Sequence, residues 1–171
     1  MRYAKYTPIF LIAIMFSACI NSTGPRGPEG VPGLDGVQIY SEIARINAAD
    51  FIGVDEFISV NKFEWNILDE LTVDEGLVLG YLRFSGETSW NALPFGIPFE
   101  NDYVNLRYVF DINSFDLVIE GEIANNNIAN EDLFDGDNLR VVAIPPSLMV
   151  RGKGLDYRNY DEVARVYNLK D

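Results

Sequence analysis

The chain has 171 residues, of which 48% are hydrophobic, 23% charged and 13% aromatic, a composition that excludes a disordered chain and leaves room for one folded domain rather than two. Basic residues number 13 and acidic residues 26, giving a net charge of −13, a field that repels nucleic-acid backbones and anionic membrane faces. With no histidine and a single cysteine, Ser-His-Asp and Cys-His catalytic layouts, an intrachain disulfide and a Cys-rich zinc site are all excluded.

The chain opens with Arg2 and Lys5, continues with an apolar stretch from Pro8, and reaches the small residues Ser17 and Ala18 before Cys19. Basic, then apolar, then small is the order of a secretory leader, in which the charge stays inside and the apolar run enters the membrane. The run falls short of the ~20 residues that span a bilayer, so a cleavable leader over residues 1–18 is expected rather than a permanent transmembrane helix. Phe16-Ser17-Ala18-Cys19 resembles the lipobox of bacterial lipoproteins, although that pattern prefers Leu where Phe16 stands. The resemblance implies that Cys19 is diacylated and becomes the first residue, and that more than one acyl chain makes the anchoring stable. Ile20 stands where an aspartate-type retention signal would be, which favours the outer membrane and leaves the leaflet open. Loss of Arg2 and Lys5 with the leader leaves 11 basic against 26 acidic side chains, a net charge of −15.

Residues 19–36 form the next unit. Gly24, Gly27, Gly30, Gly33 and Gly36 stand in strict three-residue register, with Pro25, Pro28 and Pro32 between them. Glycine in every third place is the collagen signature, because only hydrogen fits at the axis of a triple helix. So short a run favours a stiff polyproline spacer, at ~3.1 Å per residue roughly 40 Å of reach, over a trimerising triple helix.

From residue 37 to 171 the hydrophobic period is two. Val104, Leu106, Tyr108 and Phe110 share one strand face, as do Phe115, Leu117, Ile119 and Ile123, and Asp111-Ile112-Asn113-Ser114 joins the two runs as a hairpin. Further strands are expected over 38–46, 57–67, 77–84 and 139–144. Leu77-Val78-Leu79-Gly80-Tyr81-Leu82 is apolar on both faces and so marks a central strand, while Pro145-Pro146 stops the last strand. Tyr160, Val163, Ala164 and Tyr167 share a helical face behind the capping pair Asn159 and Glu162, predicting one helix over 159–169 that lies across a sheet edge or an open end. The expected fold is all-β, an antiparallel two-sheet sandwich, Ig-like or related, with one C-terminal helix.

The order of lipobox, short Gly-X-Y run and folded domain resembles the collagen-like lipoproteins of Bacteroidota-type bacteria. Val78-Leu79-Gly80-Tyr81-Leu82, Trp90-Asn91-Ala92-Leu93-Pro94, Tyr108-Val109-Phe110-Asp111 and Leu139-Arg140-Val141-Val142-Ala143-Ile144-Pro145 carry the likeness within the domain, whereas the 125–137 loop is longer than that pattern. The resemblance implies the architecture and no activity.

Three constellations bear on function. Glu120 and Glu122 share a strand face about 7 Å apart, the arrangement of a hydrolytic carboxylate pair and also of an ordinary acidic surface. Asn130-Glu131-Asp132 and Asp135-Gly136-Asp137-Asn138 supply oxygen ligands for Ca²⁺, with Asp132, Asp135 and Asp137 as candidates, although turn chemistry alone accounts for them and the spacing is not that of an EF-hand. Trp90, Phe95 and Phe99 lie in a Pro/Gly-broken segment, where aromatics stack on sugars, anchor a protein partner or close the end of a sandwich. The sequence therefore favours a membrane-anchored, non-enzymatic binding or structural module of the cell envelope, partnered by envelope proteins or glycans and not by nucleic acid. A carboxylate-based envelope hydrolase and a Ca²⁺-dependent adhesion module stand as alternatives.

Overall fold

The structure, a computed structural model, describes residues 38–99, 102–121 and 134–170. The leader, Cys19, the Gly-X-Y run, Glu122, Glu131 and Asp132 lie outside the described residues. Among the described residues the strands in chain order are β1 (Tyr40–Arg45), β2 (Ile52–Gly53), β3 (Ile58–Glu64), β4 (Leu77–Arg83), β5 (Asn91–Ala92), β6 (Phe95–Phe99), β7 (Asp102–Asp111), β8 (Ser114–Glu120) and β9 (Asn138–Ile144). They form two antiparallel sheets, of order β1-β9-β4-β5 and β2-β3-β8-β7-β6. The protein is thus an antiparallel two-sheet sandwich with one C-terminal helix.

The β7–β8 hairpin is where the alternation places it. Asp111 pairs Ser114, and the turn closes on Asn113, whose φ of 59° an asparagine tolerates. The turn is tied to the preceding segment, because Asn113 N–H donates to the Leu68 carbonyl and Trp65 N–H to the Asn113 carbonyl. Leu106, Phe115, Leu117 and Ile119 from this hairpin meet Val78, Leu82, Leu139 and Val141 from the other sheet in the central core, each fully buried aliphatic side chain contributing about 1.5–3 kcal/mol. Tyr108 crosses the sandwich, stacking on Phe115 at 4.9 Å and donating its hydroxyl to the Val78 carbonyl at 3.0 Å.

β4 is central, as its doubly apolar sequence requires, and the reason is a third layer. Val78, Gly80 and Leu82 face the sandwich interior, while Leu77, Leu79 and Tyr81 face a 3₁₀ segment (Pro146–Gly152) and helix α2 (Tyr160–Tyr167). β9 divides in the same way, with Leu139, Val141 and Ala143 inward and Val142 and Ile144 toward the helix. The helix therefore covers the outer face of the four-stranded sheet; it does not lie across an edge or an open end. Tyr160, Val163 and Tyr167 are its buried stripe, Asn159 Oδ1 caps its start by accepting from Glu162 N–H at 3.3 Å, and Asn168 at φ 54° ends it.

Among the elements that the sequence did not announce are a short helix and an edge strand. A short helix α1 (Glu70–Glu75) follows β3, started by the Asp69 carboxylate on Thr72 N–H at 2.8 Å; hydrogen bonding by the Thr72 side chain and then by this N–H holds the Asp69 carboxyl below its ordinary value. The Phe95–Phe99 segment, expected as a loop, is an edge strand despite Gly96 and Pro98, because an edge tolerates a residue that cannot donate to a ladder.

Candidate functional site

β4 and β5 are adjacent strands, and the connection between them brings Trp90 up beside the N-terminus of α2. Its indole is fixed on two sides. The Arg83 guanidinium lies over the ring at 4.4 Å, and the Tyr160 ring approaches at 5.6 Å, itself edge-on to Tyr81 at 5.1 Å. The remaining indole surface is shared by two contiguous open grooves. One, of ≈350 Å³, is lined by Thr88, Ser89, Asn159, Tyr160 and Asp161, and the other, of ≈440 Å³, by Asn91, Ala92, Leu93, Pro94 and Phe95, with Trp90 and Arg158 common to both. One half is hydroxyl, amide and carboxylate, and the other half largely apolar.

The foundation of this site is Arg140, which sequence reasoning did not single out. Its side chain is 2% exposed on the helix-facing side of β9. Nε donates to Ser41 Oγ at 2.9 Å, Nη1 to the Tyr160 hydroxyl and Nη2 to the Lys170 carbonyl, so one guanidinium ties β1, the start of α2 and the chain beyond its end. The signal was present: in a strand whose two faces are otherwise apolar, a single arginine marks a buried polar anchor. Tyr81 adds a second tie, donating its hydroxyl to the Tyr157 carbonyl at 2.7 Å, and burial pushes its ionisation well above the usual tyrosine range.

The aromatic trio of the sequence is divided. Between β5 and β6 the chain passes from one sheet to the other through the cis Leu93–Pro94 bond. Trp90 belongs to the helix-facing layer, whereas Phe95 faces the sandwich interior and packs edge-on against Phe84 at 6.1 Å. The two rings share a groove without sharing a layer. Phe99 ends β6, and its side chain lies outside what the structure describes.

The acidic turn is a clasp. Asp135 Oδ1 accepts Ala48 N–H at 3.1 Å, Asp137 Oδ1 accepts Ser85 N–H at 2.7 Å, and the backbone of Gly136 and Asp137 exchanges hydrogen bonds with Ile46. Asp137 is 5% exposed, and burial, with the Glu87 and Asp135 charges nearby, holds its carboxyl above its ordinary value against the lowering effect of the Ser85 bond. These two carboxylates are engaged with separate backbone amides, and no group of three or more metal-ligating side chains forms among the described residues. Glu120 lies on the outer face of the five-stranded sheet, accepting from Arg107 Nε at 2.7 Å.

No helix among the described residues is long and apolar enough to cross a membrane. Compared with protein-family models, curated proteins and solved structures, the chain matches none of them.

Proposed function

We propose that this chain is a lipid-anchored cell-envelope protein, held through Cys19, whose sandwich domain is a saccharide-binding module with the double groove around Trp90 as its ligand site. The observation that carries the reading is the chemistry of that groove. A fixed indole stands between an apolar wall and a wall of hydroxyl and amide groups, which suits a ring with one apolar face and a hydroxylated rim. The grooves are open rather than deep, as a binding surface for a polymer requires. The lipobox resemblance at Phe16–Cys19 supports the anchor, and the Gly-X-Y run supplies the spacer.

Trp65 is buried in the core and Trp90 lines the groove, so a Trp65→Phe variant isolates the reporter. Titration with neutral, acidic and amino oligosaccharides should give a saturable change in Trp90 emission for one class. The same titration followed by calorimetry should weaken about thirtyfold in Trp90→Ala, the scale of a ~2 kcal/mol hot spot. Absence of any saturable response, or release of shorter saccharides during the titration, overturns the reading; the second outcome would favour the hydrolase alternative. Loss of the protein from the membrane fraction in Cys19→Ala tests the anchor.

A further inference from the structure

The sequence carries its charge unevenly. Residues 37–144 hold 5 basic and 20 acidic side chains, whereas residues 145–171, which build the helical layer and the chain beyond it, hold 5 basic and 4 acidic. Of those five cations Arg158 is engaged by Asp156 at 3.0 Å, leaving Arg151, Lys153, Arg165 and Lys170 against Asp161, Glu162 and Asp171. Asp161 and Glu162 sit in the first turn of α2, and Arg165 and Lys170 at and beyond its last, so cations outnumber acids at the C-terminal end of the helix and the 3₁₀ segment beside it. The same end is where the described chain begins. A groove of ≈600 Å³ is lined by Gln38, Ser41, Arg151, Tyr167 and Lys170, so the first described residues share this end of the layer with two of the cations. Val150, immediately before Arg151, is 77% exposed, the most exposed large hydrophobic side chain among the described residues, and the exposed Lys153 follows after the buried Gly152.

We propose that this end of the helical layer is the membrane-facing surface of the domain, docking on the phosphate-bearing headgroups of the bilayer in which Cys19 is anchored. Arg151, Lys153 and Lys170 engage the phosphates, and Val150 enters the headgroup layer beside Arg151. The acidic bulk of the domain is repelled by the same surface, so attraction at one end and repulsion elsewhere set one orientation. α2 is about 12 Å long, and the Trp90 groove lies at its opposite end, turned away from the membrane. This rests on the lipid-anchored reading and adds an orientation to it.

The test uses the full lipidated protein in vesicles. Because Cys19 is the only cysteine and is acylated in this reading, Val150→Cys carries one environment-sensitive dye, and Ile112→Cys, 46% exposed at the β7–β8 turn, carries it in a control. With phosphatidylglycerol mixed into phosphatidylcholine, headgroup-located quenchers should quench the dye at 150 several-fold more than at 112. The contrast should disappear in pure phosphatidylcholine, at high salt, and in Lys153→Glu with Lys170→Glu, whose exposed positions leave the fold intact. Equal quenching at 150 and 112, or indifference to lipid charge, overturns the proposal. Inorganic phosphate that abolishes the contrast at concentrations too low to screen charge would assign the patch to free phosphate and overturn the membrane source. The intact mass of the protein reports acylation separately. An unacylated Cys19→Ser chain that still shows the contrast on sedimented vesicles leaves this surface standing while the acylated wild type remains the test of the anchor.

Discussion

The two sheets of the sandwich share one core and differ in what lies on their outer faces. The four-stranded sheet is covered by the 3₁₀ segment and α2, so β4 and β9 are buried on both sides and the grooves at either end of the helix are built from that cover. The five-stranded sheet presents Ile52, Lys62, Glu64, Tyr103, Asn105 and Val109 to solvent. Layering is what turns a strand position into a functional one: an outward residue on β9 lies within a helix interface, and an outward residue on β7 meets water.

The sharpest way to break this comparison is to remove an arginine from each outer face. Arg140→Ala strands the groups it ties on β1 and α2, and unfolding in urea should show a loss of about 3 kcal/mol, with Trp90 emission shifting as the site loosens. Arg107→Ala breaks a partly exposed ion pair with Glu120 and should lower stability by no more than about 1 kcal/mol. Equal losses would mean that the helical cover adds nothing to the burial of its sheet.

A glycine facing the core and one on the open outer face sharpen it further. A Cβ at Gly80 would stand 2.9 Å from Phe115 Cζ and 3.1 Å from Tyr108 Cδ1, inside the stacked pair that joins the sheets, so Gly80→Ala should cost about 1–3 kcal/mol in thermal unfolding. At Gly96 a Cβ would meet Asn105 Oδ1 at 2.9 Å and the Tyr103 ring at 3.0 Å, but both are exposed side chains that can swing into solvent. Gly96→Ala should therefore stay within about 0.5 kcal/mol.

The smallest expected effect is one of pH, at the clasp that ties the ends of β1 and β4 to the start of β9. Because the Asp137 carboxyl is raised in the fold above its ordinary value of 3.8, the folded state holds the proton more tightly than the unfolded chain. Its ionisation opposes folding, so this contribution is most favourable below pH 3.8 and is lost as pH rises through the raised value. Asp137→Asn keeps an acceptor for Ser85 N–H and removes the charge. Its stability relative to wild type should rise with pH across that window and level off above it, measured by thermal melts in buffers of matched ionic strength.

Much of the fold was legible because its long strands obey one rule each. Alternation placed β7 and β8, and the doubly apolar run at Leu77–Leu82 marked a central strand. The position of the cover was not legible, since the apolar face of α2 says that it packs and not upon what. α1 was missed because six residues give too short a period to register, and β6 because Gly96 and Pro98 punctuate a strand that only an edge can accept. At the site, Trp90 was found and Arg140 was not. Phe95 shares a groove with Trp90 but not a layer, because the change of sheet at Leu93–Pro94 reassigns faces in a way that sequence proximity hides.

The central claim is that the helix-covered side of the sandwich meets the ligand and the open sheet does not. The most direct measurement places a photoactivatable crosslinking residue at Thr88, on the Trp90 groove, or at Asn105, on the exposed face of β7, in the full chain expressed in living cells. Crosslinking at 88 to envelope saccharide, suppressed by Trp90→Ala, with none at 105, is the result the account predicts. Saccharide captured equally at both positions, or at 105 alone, would contradict it.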